Sequence, residues 1–281
     1  TRRRTSGPAS RRDLVHGGVM DKRAARDGTM LAVRRWPVEN ARASILIIHG
    51  VGDHSGRWEH VGQLFQGRGF DAIAFDLRGH GRSGGRRGYV RHWSEYLDDV
   101  EDMLSQLPQT RVLYGHSMGG LIAASYAVSQ RPQPDLLVLS APAVDDNLAP
   151  SLHTMSKLLG PVLPTLPVAA GIKGEQLSHD PDVAGAYEND PMVLKKATLR
   201  LGLEGFRAAE ETRRQLDRIR VPTLTIQGSE DPVIPVSASA RFEPHATRIV
   251  YEGFLHECHN EPDYARVLGD IADWVREHIQ A

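Results

Sequence analysis

Short, continuously apolar runs that alternate with helix-patterned stretches constrain this chain more tightly than any other feature. "SILIIHG" (44–50), "FDAIAFD" (70–76), "TRVLYG" (110–115) and "DLLVLSAP" (135–142) have the composition of strands covered on both faces. Between them, "WEHVGQLFQGRG" (58–69), "WSEYLDDVEDMLSQL" (93–107) and "SMGGLIAASYAVSQ" (117–130) read as helices. Gly69 closes the first, and Ser94 is the expected N-cap of the second. The pattern returns near the end with strands in "PTLTIQG" (222–228) and "TRIVYEG" (247–253), then a closing amphipathic helix in "PDYARVLGDIADWVREHI" (262–279). An edge strand is expected in "TMLAVRRWP" (29–37). Strand and helix in alternation predict an α/β fold, with a mostly parallel central sheet and helices on both of its faces.

The alternation stops after Ala143 and resumes near residue 208. Over 145–207 no strand is expected and proline recurs at Pro150, Pro161, Pro164 and Pro167. So long a stretch is not bare loop, and it predicts a helical lid inserted into a core formed by 18–144 and 208–281. Residues 1–17, rich in arginine and poor in apolar residues, read as a disordered basic tail with no visible signal peptide. A net charge of −1 over 281 residues argues against a nucleic-acid partner. One cysteine, Cys258, excludes an internal disulfide and fits a cytoplasmic protein, and no cofactor or metal motif is visible.

The chemistry concentrates at "YGHSMGG" (114–120). Gly-His-Ser-Met-Gly between a strand and a helix is the setting of a nucleophile elbow, with Ser117 on a strained turn and glycine two positions to either side. The amide of Met118 then opens a helix, where backbone donors favour negative charge. A second donor is expected from Val51 in "IIHGVGDHSG" (47–56), with His49 and Gly50 at the head of that loop as candidate substrate contacts. A serine nucleophile needs a base and an orienting acid, met here in the order Ser, acid, His. "GSEDP" offers Glu230 or Asp231, of which Asp231, held ahead of a proline, is the better-defined acceptor. "EGFLHECHN" offers His256 or His259.

Taken together, "HGVGDHSGRW", "AFDLRGHGRSGG", "YGHSMGG", "GSEDPVIP", "YEGFLHECHNEP" and "AYENDP" resemble the monoacylglycerol lipases and lysophospholipase-like hydrolases of the α/β-hydrolase superfamily, the bacterial monoacylglycerol lipases most of all. The resemblance implies a triad of Ser117, Asp231 and His256, oxyanion donors at Val51 and Met118, and Tyr187 and His259 lining or supporting the polar end of a substrate pocket. It departs at Asp53, where the common loop carries glutamate. The implied activity is cleavage of a monoacylglycerol to fatty acid and glycerol through an acyl-enzyme. A lysophospholipase, a general carboxylesterase and a non-catalytic ligand-binding scaffold are the neighbouring readings. In "SLHTMSKLLGPVLPTLPV", Leu152, Met155, Leu158 and Leu159 fall on one face of a short helix, which predicts an apolar lid that packs on the core, touches a membrane or micelle surface transiently, or does both.

Overall fold

A computed structural model describes residues 18–108 and 110–279; the expected basic tail, 1–17, lies outside the described residues. In chain order the elements begin with β1 (Val19–Ala24), β2 (Met30–Trp36), β3 (Ala43–Ile48), α1 (Glu59–Gly67), β4 (Asp71–Phe75), α2 (Ser94–Leu104), β5 (Thr110–His116), α3 (Met118–Ala127) and β6 (Leu136–Ser140). There follow α4 (Pro150–Leu159), β7 (Pro167–Ala169), α5 (Pro181–Asn189), β8 (Lys196–Thr198) and α6 (Leu199–Arg213). The chain closes with β9 (Thr223–Gly228), α7 (Ser237–Ala240), β10 (Thr247–Tyr251) and α8 (Tyr264–Ile279).

Eight strands form one sheet in the order β1-β2-β4-β3-β5-β6-β9-β10. Only β2 runs against the rest, being antiparallel to both β1 and β4. Every residue of β3, β4, β6 and β9 is buried, as the largely apolar composition of β3, β4 and β6 leads one to expect; β9 buries Thr223, Thr225 and Gln227 as well. Successive side chains alternate between two cores. Leu46, Ile48, Phe75 and Leu113 pack under α2, α3 and α6. On the opposite face Ile45, Ile47, Ala74 and Tyr114 pack under α1 and α8. Strand order reverses at β3, which has β4 on one side and β5 on the other. A reversal of this kind opens a crevice at the carboxyl ends of the strands, where ligands bind.

Three local expectations give way. The segment 30–36 is not the edge strand, because β1 pairs outside it; β1 is exposed along nearly its whole length and has no apolar face to announce it. Ser94 is not the N-cap of α2, since Trp93 takes that place with helical backbone angles and no side-chain cap. The insertion does contain strand, a short antiparallel pair of β7 and β8, and a boundary at 207 would cut through α6, whose Ala208 and Ala209 belong to the sheet core.

Candidate active site

Ser117 stands between β5 and α3 with φ 55° and ψ −119°, a left-handed conformation that costs a non-glycine residue about 1–3 kcal/mol. The turn is this tight because the glycines around it have no room for a side chain. A Cβ on Gly115 would lie 2.3 Å from the Gly119 carbonyl oxygen, and one on Gly119 would lie 2.2 Å from that of Ile48. The Ser117 N–H donates to the Ser140 carbonyl at 2.9 Å, and its own carbonyl accepts from Leu121 and Ala143. α3 is buried over its whole length, so the strained residue rests on an immovable base.

Three distant segments meet at this hydroxyl. Ser117 Oγ and His256 Nε2 are 3.0 Å apart, and His256 Nδ1 is 2.8 Å from Asp231 Oδ2. A carboxylate only accepts, so Nδ1 carries the proton and Nε2 is left to receive one from the serine. Asp231 follows β9, and its other oxygen accepts from the amides of Val233 and Ile234 at 2.8 and 3.0 Å. Burial pushes this carboxyl up, but the imidazole and the two amides outweigh it and hold the group below the ordinary carboxylate value. Of the two acids and two imidazoles offered by the sequence, the geometry joins Asp231 and His256 to Ser117.

Val51 and Met118 both border the cavity at Ser117. Met118 is the first residue of α3, where helical amides lack an acceptor from a preceding turn. The Val51 loop is braced from both sides. Its own side is fixed by His49, whose Nδ1–H donates to the Gly50 carbonyl at 2.8 Å and whose Nε2 accepts from the Leu77 amide at 2.9 Å. From the insertion, Asp190 accepts from His54 Nε2 at 2.8 Å, and the Leu194 amide donates to the Gly52 carbonyl at 2.8 Å. Gly50 leaves space for the Ser117 side chain, because a Cβ there would stand 3.2 Å from that of Ser117.

Two spaces open from the serine. The larger, about 190 Å³, is walled by apolar side chains from α3, α4 and α6, Leu121, Leu152, Leu201 and Phe206 among them. The smaller, about 10 Å³, is bordered by Gly50, Asp53, Arg57, Tyr187, His256 and Glu257. Arg57 grips Glu257 through two bonds of 2.8 and 2.7 Å and reaches Asp53 at 3.1 Å. Its guanidinium lies 5.2 Å from the centre of the Tyr187 ring. Burial pushes the Glu257 carboxyl up, and Arg57 more than reverses this, leaving it ionised.

The substrate contacts expected from the sequence therefore divide. Gly50 and Tyr187 border the small space, whereas His49 and His259 stand behind its wall. The turn at Cys258–Asn260 sends the His259 ring inward, where it stacks on Trp58 at 4.1 Å and burial lowers it to about 3. Arg57, Asp53 and Glu257 were not anticipated as site residues. Two signals were present: Arg57 follows Asp53 by four positions, and Glu257 is the immediate neighbour of His256.

The family described as "Serine aminopeptidase, S33" matches residues 39–263. A monoacylglycerol lipase of Mycolicibacterium smegmatis is 33% identical over 86% of this chain and 91% of its own length. The human monoglyceride lipase is 32% identical over 89% of this chain and 88% of its own. Among solved structures, the monoacylglycerol lipase of Paleococcus ferrophilus superposes with a TM-score of 0.83 at 28% identity, covering 88% of this chain and 99% of that one.

Proposed function

The chain belongs to the serine aminopeptidase S33 family of hydrolases, and on that premise we propose that it is a serine hydrolase that cleaves monoacylglycerols to fatty acid and glycerol. The observation that carries this reading is the Ser117–His256–Asp231 array, set between a larger apolar cavity and a small space bordered by charged side chains. An acyl chain takes the first, gaining about 0.8 kcal/mol for each methylene withdrawn from water. The hydroxyls of the glyceryl group face the second. Relatives named as monoacylglycerol or monoglyceride lipases support the choice of substrate.

In the first step Ser117 Oγ attacks the ester carbonyl carbon while its proton passes to His256 Nε2, and Asp231 stabilises the imidazolium. The oxygen that becomes anionic is held by the amides of Val51 and Met118, each worth about 3–4 kcal/mol in comparable sites. Collapse of the tetrahedral species expels glycerol, which leaves with the proton from His256. Water, deprotonated by the same nitrogen, then attacks the acyl-enzyme, and the fatty acid departs as Ser117 regains its proton.

The inserted segment acts as a lid whose outer apolar face touches a membrane or micelle surface transiently. Leu158 and Val162, 68% and 75% exposed, support that contact. Among the described residues no helix is long and apolar enough to cross a membrane. Peptide hydrolysis is the weaker reading: Asp53 and Glu257, the carboxylates beside the small space, are both engaged by Arg57 rather than left for a substrate amine.

A matched panel tests the assignment: monoacylglycerol, lysophospholipid, methyl ester and triacylglycerol of one fatty acid. The monoacylglycerol is expected to give the highest kcat/KM, and Ser117→Ala to lose about six orders of magnitude in kcat. A Ser117→Ala protein that keeps a tenth of the rate, or equal turnover of the triacylglycerol, contradicts it.

A further inference from the structure

The outer face of the insertion is bordered by positive charge that no carboxylate neutralises. From Asn147 to Gly174 the chain has no acidic residue, and Leu158, Leu159, Val162, Leu163 and Leu166 are exposed there. Two further acid-free segments are bonded to this one. Leu199 and Arg200 donate from their amides to the carbonyls of Leu166 and Pro164 at 2.9 and 3.2 Å, and no acid occurs between Pro191 and Leu203. The loop between β4 and α2 comes next. Thr198 donates twice to the Gly88 carbonyl, at 2.9 Å from its amide and 2.8 Å from its hydroxyl, and Arg200 Nε donates to the Arg91 carbonyl at 2.9 Å. That loop has no acid between Leu77 and Ser94.

Arg86, Arg87, Arg91, Lys157 and Lys196 are all exposed, and among the described residues none of them forms an ion pair. Arg86 lies over the Tyr89 ring at 5.9 Å, and Arg87 donates to the Gly81 carbonyl. The carboxylates that flank these acid-free segments are paired with other cations: Glu95 with Arg78, Glu188 with Lys195, Glu175 with Lys173 and Glu204 with Arg200 and Arg207. In a chain whose net charge is only −1, this leaves a local positive border to an apolar patch. Leu148, 40% exposed in the same acid-free segment, also lines the acyl cavity, so that segment serves both the surface and the cavity.

We infer that this face docks on anionic lipid bilayers, with the insertion's leucines and valines entering the interface and Arg86, Arg87, Arg91 and Lys196 resting on lipid phosphates. The inference builds on the lid contact proposed above and adds to it a choice of membrane. Each basic side chain held near an anionic surface is worth about a fivefold gain in partitioning, and the gain falls as salt screens it. Apolar insertion, by contrast, is indifferent to headgroup charge.

Vesicle sedimentation separates the two contributions. The protein is mixed with phosphatidylcholine vesicles, and with vesicles in which phosphatidylglycerol replaces part of the phosphatidylcholine, at low and high salt. Tighter binding to the second kind, weakened by salt, is expected. The triple variant Arg86→Gln, Arg87→Gln, Arg91→Gln should lose about 100-fold in partitioning on the anionic vesicles. It should keep its weaker binding to the neutral ones and its rate on a short water-soluble ester, since none of the three side chains touches the cavity. Leu158→Ser with Val162→Ser should weaken binding to both kinds. Equal binding of the unaltered protein to both, or a triple variant that binds as before, overturns the electrostatic docking and leaves the lid contact standing. Binding to neither overturns both and leaves ester hydrolysis in solution untouched. A dimer that forms with rising concentration and is abolished by Leu158→Ser with Val162→Ser would make the face a self-association surface and overturn the docking.

Discussion

Arg57 has a side chain only 10% exposed, with two carboxylates at 4% exposure each drawn onto it, so removing it strands two negative charges in a dry place. Replacing one partner of such a pair with an apolar residue typically costs 3–5 kcal/mol, much more than a surface ion pair is worth. Arg57→Met is therefore expected to lower the free energy of unfolding by about that amount in urea titrations. Adding Glu257→Gln to Arg57→Met should restore part of it, because the second change removes a charge that no longer has a partner. A single variant as stable as the parent would mean that water reaches these groups. The same triplet marks a limit of sequence reading. Ser117 and the glycines at 115 and 119 were legible because an elbow is a contiguous pattern, and Asp231 because the acid has a fixed place in the chain order, whereas the choice of His256 over His259 came only from the family resemblance. Arg57 and Glu257 stand 200 positions apart, and nothing local in either one's surroundings names the other.

At the scale of elements, α6 shapes the acyl cavity through what it lacks. Gly202 and Gly205 face the cavity, and a Cβ at Gly205 would meet nothing nearer than the Trp93 ring at 3.8 Å. Gly205→Leu should keep the fold, since leucine is favoured over glycine within a helix by nearly 1 kcal/mol, and should fill the cavity. Displacing three or four methylenes of the substrate would cut kcat/KM for long-chain esters by about 100-fold while sparing short-chain ones. Kinetics on a series of esters from about four to about sixteen carbons would reveal it as a shift of optimum to shorter chains; a uniform loss would point instead to a displaced triad. The central strands β3, β4, β5 and β6 were readable because burial on both faces leaves a short apolar run. β1 was not, being exposed and charged, and β7 and β8 were not, because three residues cannot display a period. α6 was divided wrongly because a helix that serves both the core and the cavity has no change of composition at the point where its task changes.

For the whole molecule, acid should be the weak side. His49, His80, His116 and His259 are at most 2% exposed, and burial is the first cause lowering each of them below the ordinary imidazole value, His80 and His259 to about 3. An unfolded chain protonates these rings near pH 6.5 while the folded one resists, so each contributes stability that is complete above that value. The contribution is lost as pH falls from there toward the folded value, at about 1.4 kcal/mol per ring for each pH unit. Asp231 and Glu257, both lowered, add losses of the same sign below about pH 4. Melting temperatures are expected to be level above pH 7 and to fall from about pH 6.5 downward; a level profile to pH 5 would show that these rings are hydrated.

The order of the triad along the chain carries a last consequence. Ser117 directly follows β5, but His256, its partner in the proposed mechanism, lies 139 positions later, beyond both β9 and β10. A nascent polypeptide that has reached Ser117 therefore still lacks the imidazole and the carboxylate that the proposed mechanism requires. Under that mechanism the alcohol stays unarmed in any truncation ahead of residue 256.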